Sequence, residues 1–302
     1  MAIEFKDKVA IVTGAGVGLG RSHALELAKR GAKVVVNDLG GSVDGSGGSA
    51  SAAEQVALEI EKLGGTALAD QGSVSDRKAV EQMVQKTLST FGRVDILVNN
   101  AGILRDKSFS KMELDDFQTV MDVHLNGSVN CTKAVWDVMK EQNYGRIAMT
   151  TSSSGLYGNF GQSNYGAAKL ALVGFMNTLK LEGAKYNIRV NSLAPTAATR
   201  MTKDLIPGDV GKAFDPQLVT PGLLFIVSEN APNGVTLCAG AGCFSVSRVL
   251  ETDGVFLGRE DVTPEKVEQR WSDITDDTEQ AFLEMGSQQS EKFYKKVLQH
   301  FN

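Results

Sequence analysis

The chain has 302 residues, 42% apolar and 22% charged, with a net charge of −5; that length can bury a sizeable core, and one large domain is expected. The acidic balance gives no general field for nucleic acid or acidic membranes, and no stretch approaches the roughly 20 apolar residues that cross a bilayer, so membrane insertion is not expected. Three cysteines without a CxxC pair and three scattered histidines argue against a disulfide framework and against a metal site; with no signal pattern at the start and no SKL-type address at the end, the expected location is cytoplasmic.

Short β-branched runs then alternate with longer amphipathic ones. Strands are predicted at KVAIVTG (8–14), AKVVVND (32–38), GTALAD (65–70), VDILVNNAG (94–102), GRIAMTTSS (145–153), IRVNSLAP (188–195) and GVTLCAG (234–240). Helical segments such as GRSHALELAKRG and AAEQVALEIEKLGG lie between them and end in glycine, as helix C-termini often do. Strands that are apolar almost throughout, in a βαβα rhythm, predict an α/β, doubly wound fold with a seven-stranded parallel sheet covered on both faces. LGGSVDGSGGSASA (39–52) is long and Gly/Ser-rich for a βα connection. Residues 196–233 form a Pro-bearing segment beyond the sixth strand, where ligands and lids collect. After a main domain of residues 1–242, the tail 243–302 holds the strand-like FSVSRVLE and a Thr-Pro helix start at TPEKVEQRWSDI. No linker separates it, so it is expected to be an extension packed on the same domain.

Gly14, Gly16, Gly18 and Gly20 follow the first strand and open a helix, with Leu19 among them. Such glycines let backbone N–H groups and a helix N-terminus approach a pyrophosphate, which marks a Rossmann fold. Asp38 ends the second strand, where a carboxylate accepts the adenosine ribose hydroxyls and repels a 2′-phosphate, so NAD is expected rather than NADP. Asn100, Ala101 and Gly102 close the fourth strand on small residues beside the cofactor.

Tyr165 and Lys169 stand one helical turn apart, so both emerge on one face. An alcohol gives up its proton as hydride departs, which needs a base within hydrogen-bond reach. A free phenol titrates near pH 10. Lowering that by roughly two to three units takes about 3–4 kcal/mol of preferential phenolate stabilisation, which a neighbouring ammonium in a partly dry site, with a cationic nicotinamide ring, could supply.

With these residues in place, the chain resembles the short-chain dehydrogenase/reductase family. TGAGVGLG (13–20) matches its glycine loop, NNAG (99–102) matches outright, and Tyr165-x-x-x-Lys169 matches its YxxxK. The resemblance implies a catalytic tetrad in which Ser152, thirteen residues before Tyr165, orients the substrate oxygen. It also implies that Asn126, in VHLNGSVN, completes the set. Asn126-Gly127 is a poor helix pair, which predicts a kink there and an asparagine that fixes a water joining Lys169 to solvent. Tyr165 and Lys169 are implied to touch the cofactor as well. The family's aspartate after the third strand is replaced, so adenine contact is expected to fall to the backbone or to Ser73, with Val74 beside it, and Thr199, preferred over Thr202, is implied to hold the carboxamide.

GLYGNFGQSNYGAAKLALVGF, NDLGGSVDGSG, APTAATRMT and the tail look closer still to (3R)-hydroxyacyl-CoA dehydrogenase units, and the likeness implies a stand-alone version of such a unit. The implied substrate is an acyl-CoA oxidised with NAD, with Tyr157, Phe160 and Gln162 shaping the acyl end. Arg105, Lys107, Arg200, Lys203 and Lys212 are candidates for CoA phosphates. A carrier-protein or steroid carbonyl reductase, or a nucleotide-sensing protein without catalysis, are the rivals. The small-residue face of helix 163–182 and the family likeness imply a homodimer or homotetramer.

Overall fold

The computed structural model describes residues 2–47, 51–199 and 211–301. They fall into two compact units, 1–246 and 247–302.

In the first unit, strands β1 (Val9–Thr13), β2 (Lys33–Asn37), β3 (Thr66–Asp70), β4 (Ile96–Asn99), β5 (Gly145–Thr150), β6 (Ile188–Thr196), β7 (Thr236–Gly240) and β8 (Cys243–Ser247) form one sheet in the order 3-2-1-4-5-6-7-8. The first seven pair in parallel, with registers such as Thr13 opposite Asn37 and Ala10 opposite Ile96. The sheet therefore has eight strands, not the seven expected. FSVSRVLE reads as a strand, but its place in this sheet is set by the turn before it. Ala241 and Gly242 both take positive φ, at 49° and 76°, which is the geometry of a two-residue hairpin. So short a connection makes β8 run antiparallel to β7.

Helices α1 (Gly18–Lys29), α2 (Ser51–Lys62), α3 (Arg77–Phe91), α4 (Leu114–Met121), α5 (Gly127–Gln142), α6 (Ser153–Tyr157), α7 (Ser163–Gly183) and α8 (Thr220–Ile226) flank the sheet. Alternate strand residues feed two cores, because side chains of successive residues point to opposite faces. Ala10, Val12, Val34 and Val36 pack with Leu27 of α1, Ile60 of α2 and Leu223 of α8. Ile11, Val35, Leu97 and Ile147 pack with Met83 of α3, Met139 of α5 and Met176 of α7. Strands buried on both faces explain why they read as nearly continuous apolar runs. The order reverses between β1 and β4, so a crevice opens at their carboxyl ends, where doubly wound sheets bind ligands.

In the second unit, β9 (Leu250–Thr252) pairs antiparallel with β10 (Gln280–Phe282). The helices α9 (Pro264–Gln269), α10 (Trp271–Ile274) and α11 (Gly286–Phe301) accompany them. Lys292 and Gln289 of α11 bond Glu251, and Lys296 bonds Asp253.

Candidate active site

At the crevice, a cavity is lined by Gly14, Gly18, Leu19, Gly20, Asp38, Gly72, Ser73, Val74, Asn100, Ala101, Gly102, Ile103 and Thr199, along with part of the 39–45 loop. Gly14 takes φ of +62°, and a Cβ there would come within 2.8 Å of Ala101 Cα, so only glycine lets β1 turn this close to β4. A Cβ on Gly16 would sit 2.8 Å from the Asp38 carboxylate. Instead, the Gly16 N–H donates to Asp38 Oδ2 and the Gly40 N–H to Asp38 Oδ1, both at 2.7 Å. Each oxygen keeps a free lone pair for a further donor.

Helix α1 starts at Gly18 after Val17 without a side-chain cap, so its first N–H groups are left for a ligand, the arrangement that receives phosphate. Asn100 lines the cavity, but its Nδ2 donates to the carbonyls of Thr13 and Gly14 at 2.9 and 3.1 Å; it staples the glycine turn. Thr199 lies beside Gly18, 3.6 Å from where a Cβ would be. The donor set, the glycine cradle and the carboxylate together fit a dinucleotide. Thr202, Arg200 and Lys203 lie outside the described residues.

Tyr165 and Lys169 are not among the lining residues of this cavity, but Ile103, which lines it, belongs to the apolar cluster that Tyr165 packs against. Ser152 caps α6, its Oγ accepting the Ser154 N–H at 3.1 Å, and its hydroxyl acts on the nearby Tyr165 phenol, favouring the charged form. Lys169, only 3% exposed, donates from Nζ to the Thr150 carbonyl at 2.5 Å and lies 5.5 Å from the centre of the Tyr165 ring. Ser152, Tyr165 and Lys169 are thus brought together by the end of β5, α6 and one face of α7.

Two expectations fail here. The shift of the phenol runs opposite to the expected one: burial pushes Tyr165 up to about 12, the Ser152 hydroxyl pulling the other way and the Asp106 charge adding to the rise. Burial also pushes Lys169 down to about 7. Its ammonium is therefore only partly charged at neutral pH, and it is spent on the Thr150 carbonyl rather than aimed at the phenol.

Asn126 is the second. The expected irregularity is present, as a π-helical turn over Asp122–Asn126 between α4 and α5. Asn126 itself is exposed, donates to Asp122 Oδ1 at 2.7 Å, and lines a surface hollow with Ser75, Arg77 and Lys78. The residue that reaches the site is His124, two positions earlier and so on the opposite side of the helix. Its ring stands edge-on to Tyr165, centroids 5.2 Å apart. Its Nε2 lies 2.8 Å from the Ile103 carbonyl and 3.1 Å from the Ile103 N–H, while Nδ1 is buried without a partner. Burial, then the nearby Lys169 charge, holds the imidazole well below its ordinary value and so neutral. The signal was in the pattern: Val120, His124, Gly127, Cys131 and Val135 recur at helical spacing and are all buried, and Asn126 is off that stripe.

On the substrate side, Tyr157 and Phe160 are 73% and 90% exposed and form an open apolar rim. Gln162 is 6% exposed; its Oε1 accepts from Asn159, and its Nε2 donates to Asp106 at 2.6 Å. Arg105 and Lys107 both bond Asp116, and Lys212 is exposed. No group of three or more His, Cys, Asp or Glu among the described residues could hold a metal ion, and no helix among them is long and apolar enough to cross a membrane.

Residues 8–209 match the sequence profile of short chain dehydrogenases. The chain belongs to that family. Peroxisomal multifunctional enzyme A of Dictyostelium discoideum is 49% identical over 275 residues, which are 91% of this chain and 61% of that protein. The full-length peroxisomal multifunctional enzyme type 2 of Drosophila melanogaster superposes with a TM-score of 0.82 at 39% identity, covering 99% of this chain and 51% of that one. A 7α-hydroxysteroid dehydrogenase complexed with NADH and 7-oxo glycochenodeoxycholic acid superposes with a TM-score of 0.71 at 29% identity, over 79% of this chain and 95% of that one. The chain thus spans about half to three-fifths of the multifunctional relatives.

Proposed function

We propose that the protein oxidises (3R)-3-hydroxyacyl-CoA to 3-oxoacyl-CoA with NAD, as a step of fatty acid β-oxidation. The observation that carries this reading is the juxtaposition of the Tyr165 phenol with the Ser152 hydroxyl, which pulls its pKa down, and with the buried Lys169, beside a cavity built for a dinucleotide. Two hydroxyls held together can meet one substrate oxygen. Tyr165 takes the hydroxyl proton at Oη, and Ser152 donates to the oxygen as it becomes a carbonyl. Lys169, titrating near neutrality, supplies positive charge to the phenolate when protonated. His124 walls the ring from the side and stays neutral, so it adds no charge that would oppose Lys169. The nicotinamide, when bound, supplies the acceptor for the hydride leaving the same carbon.

Asp38 at the end of β2 favours NAD, because its carboxylate stands where a 2′-phosphate would bring like charge. The acyl-CoA substrate rests on the multifunctional relatives and on the open apolar rim of Tyr157 and Phe160. Free thiols at Cys131, Cys238 and Cys243 suit a reducing compartment. Exposed Ala167, Leu170 and Gly174 on α7 suit packing against a second copy, as a homodimer or homotetramer.

The test is NADH formation with (3R)- and (3S)-hydroxyacyl-CoA of several lengths. Turnover confined to the R series is expected; equal rates with both, or none with either, end the substrate assignment. NADP in place of NAD should give at least tenfold lower kcat/KM.

A further inference from the structure

The Gly/Ser-rich segment after β2 is not a loose connection. Ser42 and Ser46 close it into a turn through their backbones at 2.8 Å, and Asp44 accepts from the Ser46 N–H at 2.9 Å and from both serine hydroxyls. This turn reaches over the carboxyl end of β1 to the far bank of the crevice. There the Leu104 N–H donates to the Val43 carbonyl and Arg105 Nε to the Asp44 carbonyl, each at 2.9 Å. Gly45 rests on Ile103, whose Cδ1 lies 3.1 Å from where a Cβ would be, at φ of +85°. Leu39, Gly41, Ser42, Val43 and Gly45 line the same cavity as Gly18–Gly20 and Ala101. The segment is therefore a strap across the dinucleotide cavity, fastened on both banks.

Arg105 is where three parts meet. Its Nε holds the strap, and its NH1 group donates to Asp116 and Thr119 of α4 at 3.0 and 3.4 Å. Its carbonyl accepts from Asn164, whose Oδ1 in turn holds the Tyr165 N–H. A guanidinium so divided is fixed in direction, because its planar fork bonds two partners at once. We propose that Arg105 is a positioning residue that holds residues 40–47 closed over the dinucleotide and thereby sets how fast the cofactor leaves. This rests on the reading of the cavity as an NAD site.

The experiment is binding of NADH and of ADP-ribose to the full chain, by stopped-flow fluorescence and calorimetry, for the native protein, Arg105→Ala, Arg105→Lys and Gly45→Ala. Losing this side-chain bond to the strap should raise the dissociation rate and the Kd of both ligands about tenfold in Arg105→Ala. The KM for NAD should rise in step, with kcat at saturating NAD falling less than threefold. Arg105→Lys, which keeps the charge near Asp116, should recover part of the loss. Gly45→Ala pushes the strap off Ile103 from the other side and should weaken ADP-ribose in the same direction, so the test survives if Arg105→Ala fails to fold. Unchanged ADP-ribose dissociation in both the alanine variants, or a loss confined to kcat, overturns the strap. A native protein that binds neither ligand overturns the cofactor reading itself.

Discussion

The cofactor crevice and the pocket around Tyr165 lie at the carboxyl ends of neighbouring strands but are built on opposite principles. The crevice works by leaving things out: glycines without side chains, an uncapped helix start, and a carboxylate whose oxygens keep spare lone pairs. The pocket works by packing things in: a buried ammonium on a carbonyl and a buried, neutral imidazole against a phenol. One is ready for a ligand as it stands. The other holds groups in protonation states that burial imposes, at a cost to the fold.

Tyr165→Phe separates the two regions most sharply. It removes the proposed base and leaves the crevice untouched, so kcat should fall by roughly 10²–10⁴-fold, while ADP-ribose affinity, read by calorimetry, stays within twofold. A parallel loss of ADP-ribose binding would mean that the two regions are one.

Lys169→Met tests the cost of packing. The amine titrates at about 7 in the folded chain and at about 10.5 when solvated. Between those pH values the unfolded chain binds the extra proton, so native stability rises with pH through this window and is at its lowest level below it. Methionine removes the penalty: stability at neutral pH should increase by roughly 2–4 kcal/mol, and the rise in melting temperature between pH 7 and 10 should flatten. Turnover should be lost at the same time. A variant less stable than the parent at pH 7 would contradict the burial argument.

Asp38→Ala acts on the crevice alone. The loss of a charged acceptor for two hydroxyls should lower kcat/KM for NAD by about 10–100-fold. It should also narrow the preference over NADP, since the charge that repels the 2′-phosphate is gone; initial rates with both cofactors measure it.

The same contrast explains what could be read before the structure. The βαβα order, the glycine turn, Asp38 at the end of β2 and the NNAG corner were legible because backbone conformation and position along a strand fix them. Ser152 and the Tyr165–Lys169 pair were legible through spacing on α6 and α7. The eighth strand was not: FSVSRVLE reads as a strand, but only the positive φ of Ala241 and Gly242 folds it back onto β7. The protonation of Tyr165 was misjudged because a turn of helix fixes the nearness of Lys169, whereas the direction of its Nζ depends on Thr150, a strand away in sequence. Arg105 read as a free cation because neither the strap nor Asp116 is visible as its partner from spacing.

Asn126 gives the smallest expected effect and the finest probe of the pocket. In a helix the two residues 124 and 126 face opposite ways, and the structure puts the histidine on the phenol and the asparagine in solvent. Asn126→Ala removes only an exposed bond to Asp122, a contact worth a few tenths of a kcal/mol on a helix surface, so kcat and KM should stay within twofold. His124→Ala takes away the edge that Tyr165 rests on and the clamp on Ile103, and about a tenfold fall in kcat is expected from the loosened phenol. Steady-state rates of the two variants, prepared side by side, decide it: a large defect in Asn126→Ala with a silent His124→Ala would restore the asparagine to the proton path and require the π turn to rotate when ligands bind.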